Sequence, residues 1–208
     1  MSRLLHLIIL QFLIFVQYTY AEGFKGFYGR IDSGITSPLQ VSGISFENRP
    51  FGNMGVGYHF NDVFRSDLNI QYRKVDARKE FSAVKKVQNT AIMLNGYLNL
   101  TDSKDNFIPY FTAGLGYGRN KLHNSQISLS STNISTQGRA VSNFMWSVGV
   151  GGVIKFTEKF GVDLHYRYID LGTVQGTSAI TRRSVSQVEA LKLKIQSNEF
   201  GVGVIFNF

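Results

Sequence analysis

Ionisable side chains recur at two-residue spacing in strand-like stretches, and ion pairing is the chemistry that this spacing offers. Arg65, Asp67 and Arg73 share one parity within Phe64–Arg73, and Asp163, His165 and Arg167 share one within Phe160–Asp170. Glu199 stands just before a last alternating stretch. Residues two apart on an extended chain project from the same face, so these seven can meet inside a closed sheet. Charges taken out of water must pair, which makes a structural charge network the first expectation and a narrow ion path the second. Catalysis has less to work with. Of the four histidines, His6 lies in an N-terminal apolar run, His59 at a strand end and His165 among acids. His123 and Ser125 have a His-x-Ser spacing, but a histidine-activated nucleophile needs an orienting acid, and the strand that follows has none before Glu158. No metal-ligand spacing or phosphate loop stands out, and with no cysteine a disulfide scaffold or thiolate metal site is excluded. No enzyme activity and no cofactor is expected.

The elements that must position these residues read as strands. In the last nine residues Phe200, Val202, Val204, Phe206 and Phe208 alternate with Gly201, Gly203, Ile205 and Asn207. About nine tilted strand residues cross the hydrocarbon of a bilayer. Similar stretches are Phe24–Ile35, Phe51–Phe60, Phe64–Arg73, Thr90–Leu100, Ile108–Leu122, Asn143–Phe156 and Phe160–Asp170. In the third, Phe64, Leu68, Ile70 and Tyr72 lie opposite the charged face. Gly114, Gly116 and Gly118 suit a strand that bends with barrel curvature. The connections alternate. Asn61–Val63, Thr101–Phe107 and Thr157–Lys159 are short, whereas Thr36–Pro50, Lys74–Val87, His123–Ala140 and Leu171–Ala190 read as long loops. Leu191, Leu193 and Ile195 alternate with Lys192, Lys194 and Gln196 in the opposite phase to the final stretch. Lysine near a bilayer midplane costs ~2–4 kcal/mol, so Leu191–Asn198 is placed beyond the bilayer, as a strand extension or bulge.

The chain has 208 residues, 21 Gly, 17 Phe, 10 Tyr and a formal net charge of +8. Its mean hydropathy is near zero, as expected where lipid-facing and inward residues alternate. Arg3, the apolar run Leu4–Val16 and small residues at Thr19 and Ala21 read as a secretory signal peptide. The expected organisation is a signal at 1–21 and one barrel domain at 22–208. The fold class is all-β, an eight-stranded antiparallel transmembrane β-barrel, up-and-down, with both termini periplasmic.

Several stretches together resemble the small OmpA-like and opacity-protein-like barrels of Gram-negative outer membranes. Gly55-Val56-Gly57-Tyr58-His59-Phe60-Asn61-Asp62 resembles their G-x-G-Y-x-F-N-D strand-turn. Asp67–Arg73 is similar to their third strand, Pro109–Gly116 to their P-Y-x-x-x-G-x-G strand, and Tyr166-Arg167-Tyr168 to their Y-R-Y segment. The terminal Phe208 matches their closing aromatic residue. The resemblance implies a porin-superfamily-type surface antigen or adhesin. It also implies an insertion signal (Phe200, Val202, Val204, Phe206, Phe208) read by the barrel-assembly machinery. The loops carry Lys74, Arg78, Lys79, Lys85, Lys86, Arg139, Arg182 and Arg183, a basic rim suited to anionic ligands. Expected partners are outer-membrane lipid, lipopolysaccharide and a host or environmental surface ligand, with no nucleic acid. The leading expectation is adhesion, with an envelope-stabilising barrel and a narrow ion channel as alternatives.

Overall fold

The computed structural model describes residues 26–40, 46–77, 86–101, 105–129, 132–157, 159–182 and 185–208. Its strands are β1 (Gly26–Pro38), β2 (Phe46–Glu47), β3 (Arg49–His59), β4 (Phe64–Ala77), β5 (Lys86–Asn99), β6 (Phe107–Leu122), β7 (Ser125–Leu129), β8 (Thr132–Lys155), β9 (Phe160–Arg182) and β10 (Val185–Asn207). No helix occurs among the described residues. Eight strands close a ring in the order β1, β3, β4, β5, β6, β8, β9, β10. β10 returns onto β1 with Tyr28 opposite Asn207 and Pro38 opposite Ser197. Closure satisfies the backbone of the ring internally, as a bilayer demands.

Turn chemistry sets the short end. Asn61 Oδ1 accepts hydrogen bonds from the Val63 and Phe64 N–H groups at 3.0 and 2.7 Å. Thr157 Oγ1 accepts from the Phe160 N–H at 3.0 Å. Such side-chain caps hold a sharp reversal without help from the sheet.

The two faces are inverted relative to a water-soluble sheet. Ile31, Met54, Leu94 and Leu115 are each more than half exposed on the outer wall, while Arg65, Arg73 and Glu199 are buried inside. Phe60, Phe64, Phe107, Phe156, Phe160 and Phe206 ring the short-turn end of this apolar belt. Tyr72, Tyr117, Phe144 and Trp146 lie towards the other end. An apolar belt between aromatic girdles is the surface a bilayer selects.

The interior is layered. Tyr28, Tyr97, Ile108, Tyr110, Val153 and Ile205 pack at the short-turn end. A polar middle follows. Above it Phe46, Val75, Val87, Leu122, Leu171, Leu193 and Ile195 belong to a second apolar cluster, which Met93 and Met145 extend down beside the polar residues. Glycines make room for these side chains. A Cβ on Gly118 would lie 2.1 Å from Met145 Sδ, and one on Gly203 2.1 Å from Asp32 Oδ1. The β6 glycines therefore accommodate interior side chains, a use beyond the bending expected from sequence.

The long-connection end departs from the sequence expectation. Most of Leu171–Ala190 is strand, as β9 runs to Arg182 and β10 begins at Val185. Within His123–Ala140, β7 and β8 pair from Ser125 opposite Thr136 to Leu129 opposite Thr132. Backbone pairing explains the difference: above the bilayer both faces of a strand meet water, so Ser/Thr-rich segments pair without an apolar face to reveal them.

Leu191–Asn198 does extend the last strand, and its facing is unbroken: Leu193, Ile195, Ser197, Glu199, Gly201, Gly203 and Ile205 all point inward. The irregularity lies opposite, on β9. Lys194 pairs with Thr173 and Gln196 with Asp170, leaving Leu171 and Gly172 against Ile195 alone. Gly172 has φ of 74°, a conformation that glycine adopts without a Cβ penalty. Asp170 accepts from the Gly172 N–H at 2.9 Å and from Lys194 Nζ at 2.8 Å. Nearby, the β8–β9 register lapses between Arg139 and Trp146. There the Asn143 amide substitutes for a strand, donating to Thr173 O at 2.8 Å and accepting from its N–H at 3.0 Å.

Candidate functional site

Two buried ionic clusters occupy the polar middle. In the first, Arg30 on β1 is the hub. Its Nε and Nη2 donate to Asp32 at 2.8 and 2.6 Å, its Nη1 to Asp67 at 3.1 Å and its Nη2 to Asp163 at 2.9 Å. The Tyr97 hydroxyl donates to Asp67 at 2.8 Å, and that of Tyr110 to Asp163 at 2.6 Å. Asn95 adds a bond to Asp67 at 2.7 Å. Arg65 takes a different partner. Its guanidinium lies 4.0 Å from the Tyr97 ring centre and 4.8 Å from that of Tyr110, an aromatic setting that stabilises a desolvated cation.

In the second cluster Glu199 sits between two arginines, with Arg167 Nε at 2.7 Å and Arg73 Nε at 2.9 Å. Arg73 donates hydrogen bonds to Asn89 at 2.8 Å and to Gln71. Asn89 passes the chain to Asn120 at 2.7 Å, which donates to Leu171 O at 2.7 Å. The polar network thus runs up to the apolar layer above it.

The seven residues singled out by spacing all lie inside, but in separate groups. Arg65, Asp67 and Asp163 join the first cluster and Arg73, Arg167 and Glu199 the second. His165 is buried, and neither ring nitrogen has a hydrogen-bond partner among the described residues. Sequence reasoning missed Arg30 and Asp32, which occupy the hub. Their signal was available: they stand two apart, in phase with Tyr28, as Arg65 and Asp67 stand two apart on β4.

His165, Asp32 and Asp163 bring ligand-type atoms within 4.8 Å of one another. Their electrostatics do not suit a metal ion. Arg30 already bridges both carboxylates. Among the described residues the four buried arginines Arg30, Arg65, Arg73 and Arg167 balance Asp32, Asp67, Asp163 and Glu199, and the remaining buried acid, Asp170, pairs with Lys194. A divalent ion would unbalance that set or expel Arg30.

His59 bonds to Asn207 at 3.1 Å beside the closing seam. His123 and Ser125 flank the turn into β7, where Asn124 Oδ1 accepts from the Gly138 N–H at 2.9 Å. At the rim, Lys74, Lys86 and Arg139 are exposed and Arg182 ends β9. Arg78, Lys79, Lys85 and Arg183 lie outside the described residues, as does the segment read as a signal peptide.

A ring of eight antiparallel strands with charge inside and apolar side chains outside narrows the family to membrane barrels. The family model for the outer membrane protein beta-barrel domain matches residues 7–208. The chain belongs to this family. Among curated relatives, this outer-membrane barrel is 27% identical to the outer membrane protein PagN of Salmonella typhimurium, over 76% of its own length and 72% of PagN. It is 24% identical to a Rickettsia rickettsii protein named "Putative adhesin", over 91% of each chain. The crystal structure of Neisserial surface protein A superposes with a TM-score of 0.60 at 20% identity, covering 90% of this barrel and 100% of that chain. That likeness supports the fold.

Proposed function

We propose that this outer-membrane barrel is a non-enzymatic surface protein that binds an external ligand through its long-hairpin end. One observation carries the reading: β8, β9 and β10 continue as paired strands well past the aromatic girdle. Val185 pairs with Arg182, and Thr132 pairs with Arg182 on the other side. A membrane anchor needs no such extension, whereas a recognition surface gains a rigid support. The names of the PagN and Rickettsia relatives, an outer membrane protein and an adhesin, favour the same reading. In it, residues 1–21 direct export, both termini face the periplasm, and the long hairpins face outward. The assembly machinery reads the outward side of the last strand, where Phe200, Val202, Val204, Phe206 and Phe208 are exposed. The cations Lys74, Arg78, Lys79, Lys85, Lys86, Arg139, Arg182 and Arg183 form the rim that meets an anionic surface.

Shortening the hairpins Ser125–Thr136 and Thr177–Ala190 tests this reading. Cells carrying the shortened barrel should lose attachment to host cells while keeping a heat-modifiable outer-membrane band. Attachment at the original level would overturn adhesion. It would favour an envelope-stabilising barrel, a role to which the densely bonded interior is also suited.

A further inference from the structure

We propose that the outer wall of β4, β5 and β6 carries a binding site for a phosphorylated glycolipid of the lipid A type. Four cations cluster there on the outward face. Lys74 on β4 stands opposite Gln88 on β5, and Gln88 opposite Lys121 on β6. One step closer to the belt, Tyr72 stands opposite Thr90, and Thr90 opposite Arg119. Lys86 lies one step further out, opposite Asp76. Directly opposed residues in antiparallel strands share a face, so Lys74, Lys86, Arg119 and Lys121 project from one side of the wall. With strands about 5 Å apart, Lys74 and Lys121 are separated by about 10 Å, with polar Gln88 between them.

All four side chains are exposed, and none forms an ion pair with a described residue. The two acids beside this patch, Asp76 and Glu47 opposite it, are engaged elsewhere, since both pair with Arg49, at 2.9 and 2.5 Å. The height is equally informative. Arg119 lies two residues beyond the girdle residue Tyr117, and Lys74 two beyond Tyr72. Lipid phosphates lie at this level, just outside the hydrocarbon. Beneath the cations Ile70, Ile92, Leu94 and Leu115 are about half exposed, a bed for acyl chains. The patch is confined to one sector. Across the barrel Lys194 is paired with Asp170 at 2.8 Å, Lys192 stands singly opposite Gln175, and β1 offers Ser37.

An occupant must therefore be anionic at headgroup height and apolar below. A multiply phosphorylated glycolipid meets both requirements, and a soluble polyanion meets only the first. Of the rim cations assigned above, Lys74 and Lys86 thereby serve the membrane surface and the others the external ligand. The inference rests on the orientation proposed above, which puts this end of the barrel in the outer leaflet.

The full mature barrel, refolded in zwitterionic detergent, can be titrated with bisphosphorylated lipid A, dephosphorylated lipid A and heparin. The wild type should bind the bisphosphorylated form preferentially. The variant K74Q/K86Q/R119Q/K121Q should lose at least about tenfold in that affinity, whereas K192Q, on the opposite sector, should not. Heat-modifiable mobility of each variant confirms the barrel. Equal binding by the quadruple variant, or no preference for the phosphorylated lipid, overturns the site. Loss of heparin binding with lipid A binding intact also overturns it and reassigns the cations to a soluble ligand. Surface labelling of whole cells at a cysteine placed in the β9–β10 hairpin tests the orientation separately.

Discussion

Glu199 shows how much rests on single interior residues. Its carboxylate is fully buried between Arg73 and Arg167. Removing one partner of a buried ion pair leaves the others uncompensated, at ~3–5 kcal/mol. The variant E199Q should unfold at clearly lower urea concentration in detergent micelles, with its strand content in circular dichroism unchanged before the transition. An unchanged midpoint would mean that Gln71, Asn89 and the other neighbours re-satisfy both arginines. Which side of the strand Arg65, Asp67 and Glu199 occupy was legible from two-residue spacing. Their partners were not, because the hub pairs residues as distant in sequence as Arg30 and Asp163. The two-residue spacing of Arg30 and Asp32 was readable but less conspicuous. Gly29 and Ser33 on the opposite face blur the alternation that stands out in β4.

Among the elements, β9 and β10 divide the labour of the upper hairpin. β10 keeps one phase throughout, and β9 changes phase across Leu171 and Gly172. The variant G172A would place a Cβ 2.4 Å from Asn143 Cβ at a left-handed φ. A left-handed backbone alone costs ~1–2 kcal/mol for a residue with a Cβ. Amide exchange should rise at Leu191–Ile195 and stay slow at Val202–Ile205; uniform change along β10 would contradict a local role for the bulge. At the other end, Phe208 donates its N–H to Phe27 O at 3.0 Å and meets the Phe206 ring edge to face. Deleting Phe208 should lower the outer-membrane yield in cells while leaving refolding into detergent nearly normal. Equal yield in cells would argue against its part in the insertion signal. The eight membrane strands were legible because one face is apolar. The hairpin strands were not, since neither face of a Ser/Thr-rich strand in water is forced to be apolar.

For the whole molecule, the layered interior decides what can pass. A network of paired charges fills the middle with Met93 and Met145 packed beside it, and Val87, Leu122, Leu171 and Ile195 close the space above it. Eight strands leave a bore that side chains fill, and an ion would have to shed its water against an apolar layer. Planar-bilayer recordings of the refolded protein should show no discrete conductance; steady openings would require the apolar layer to move and would revive the channel reading. That layer was hidden in the sequence, because inward Met and Val residues on β5 and β8 are indistinguishable by type from lipid-facing ones.

The bulge at Gly172 also bears on how the protein can vary in length. Above it, β9 and β10 pair with each other residue for residue up to Arg182 and Val185, and among the described residues no β1–β10 backbone bond reaches past Leu39. Adding matched pairs of residues beyond Arg182 and Val185 therefore changes reach without altering the registers below, that of β9 with β8 included. Two residues per strand preserve which side chains face the mouth, and one residue per strand exchanges the faces. The hairpin telescopes beyond Arg182 and Val185 while β8 holds its flank from Thr132 to Arg139. Lineages of this barrel can remodel its outermost surface by small even insertions while the membrane-spanning ring stays constant.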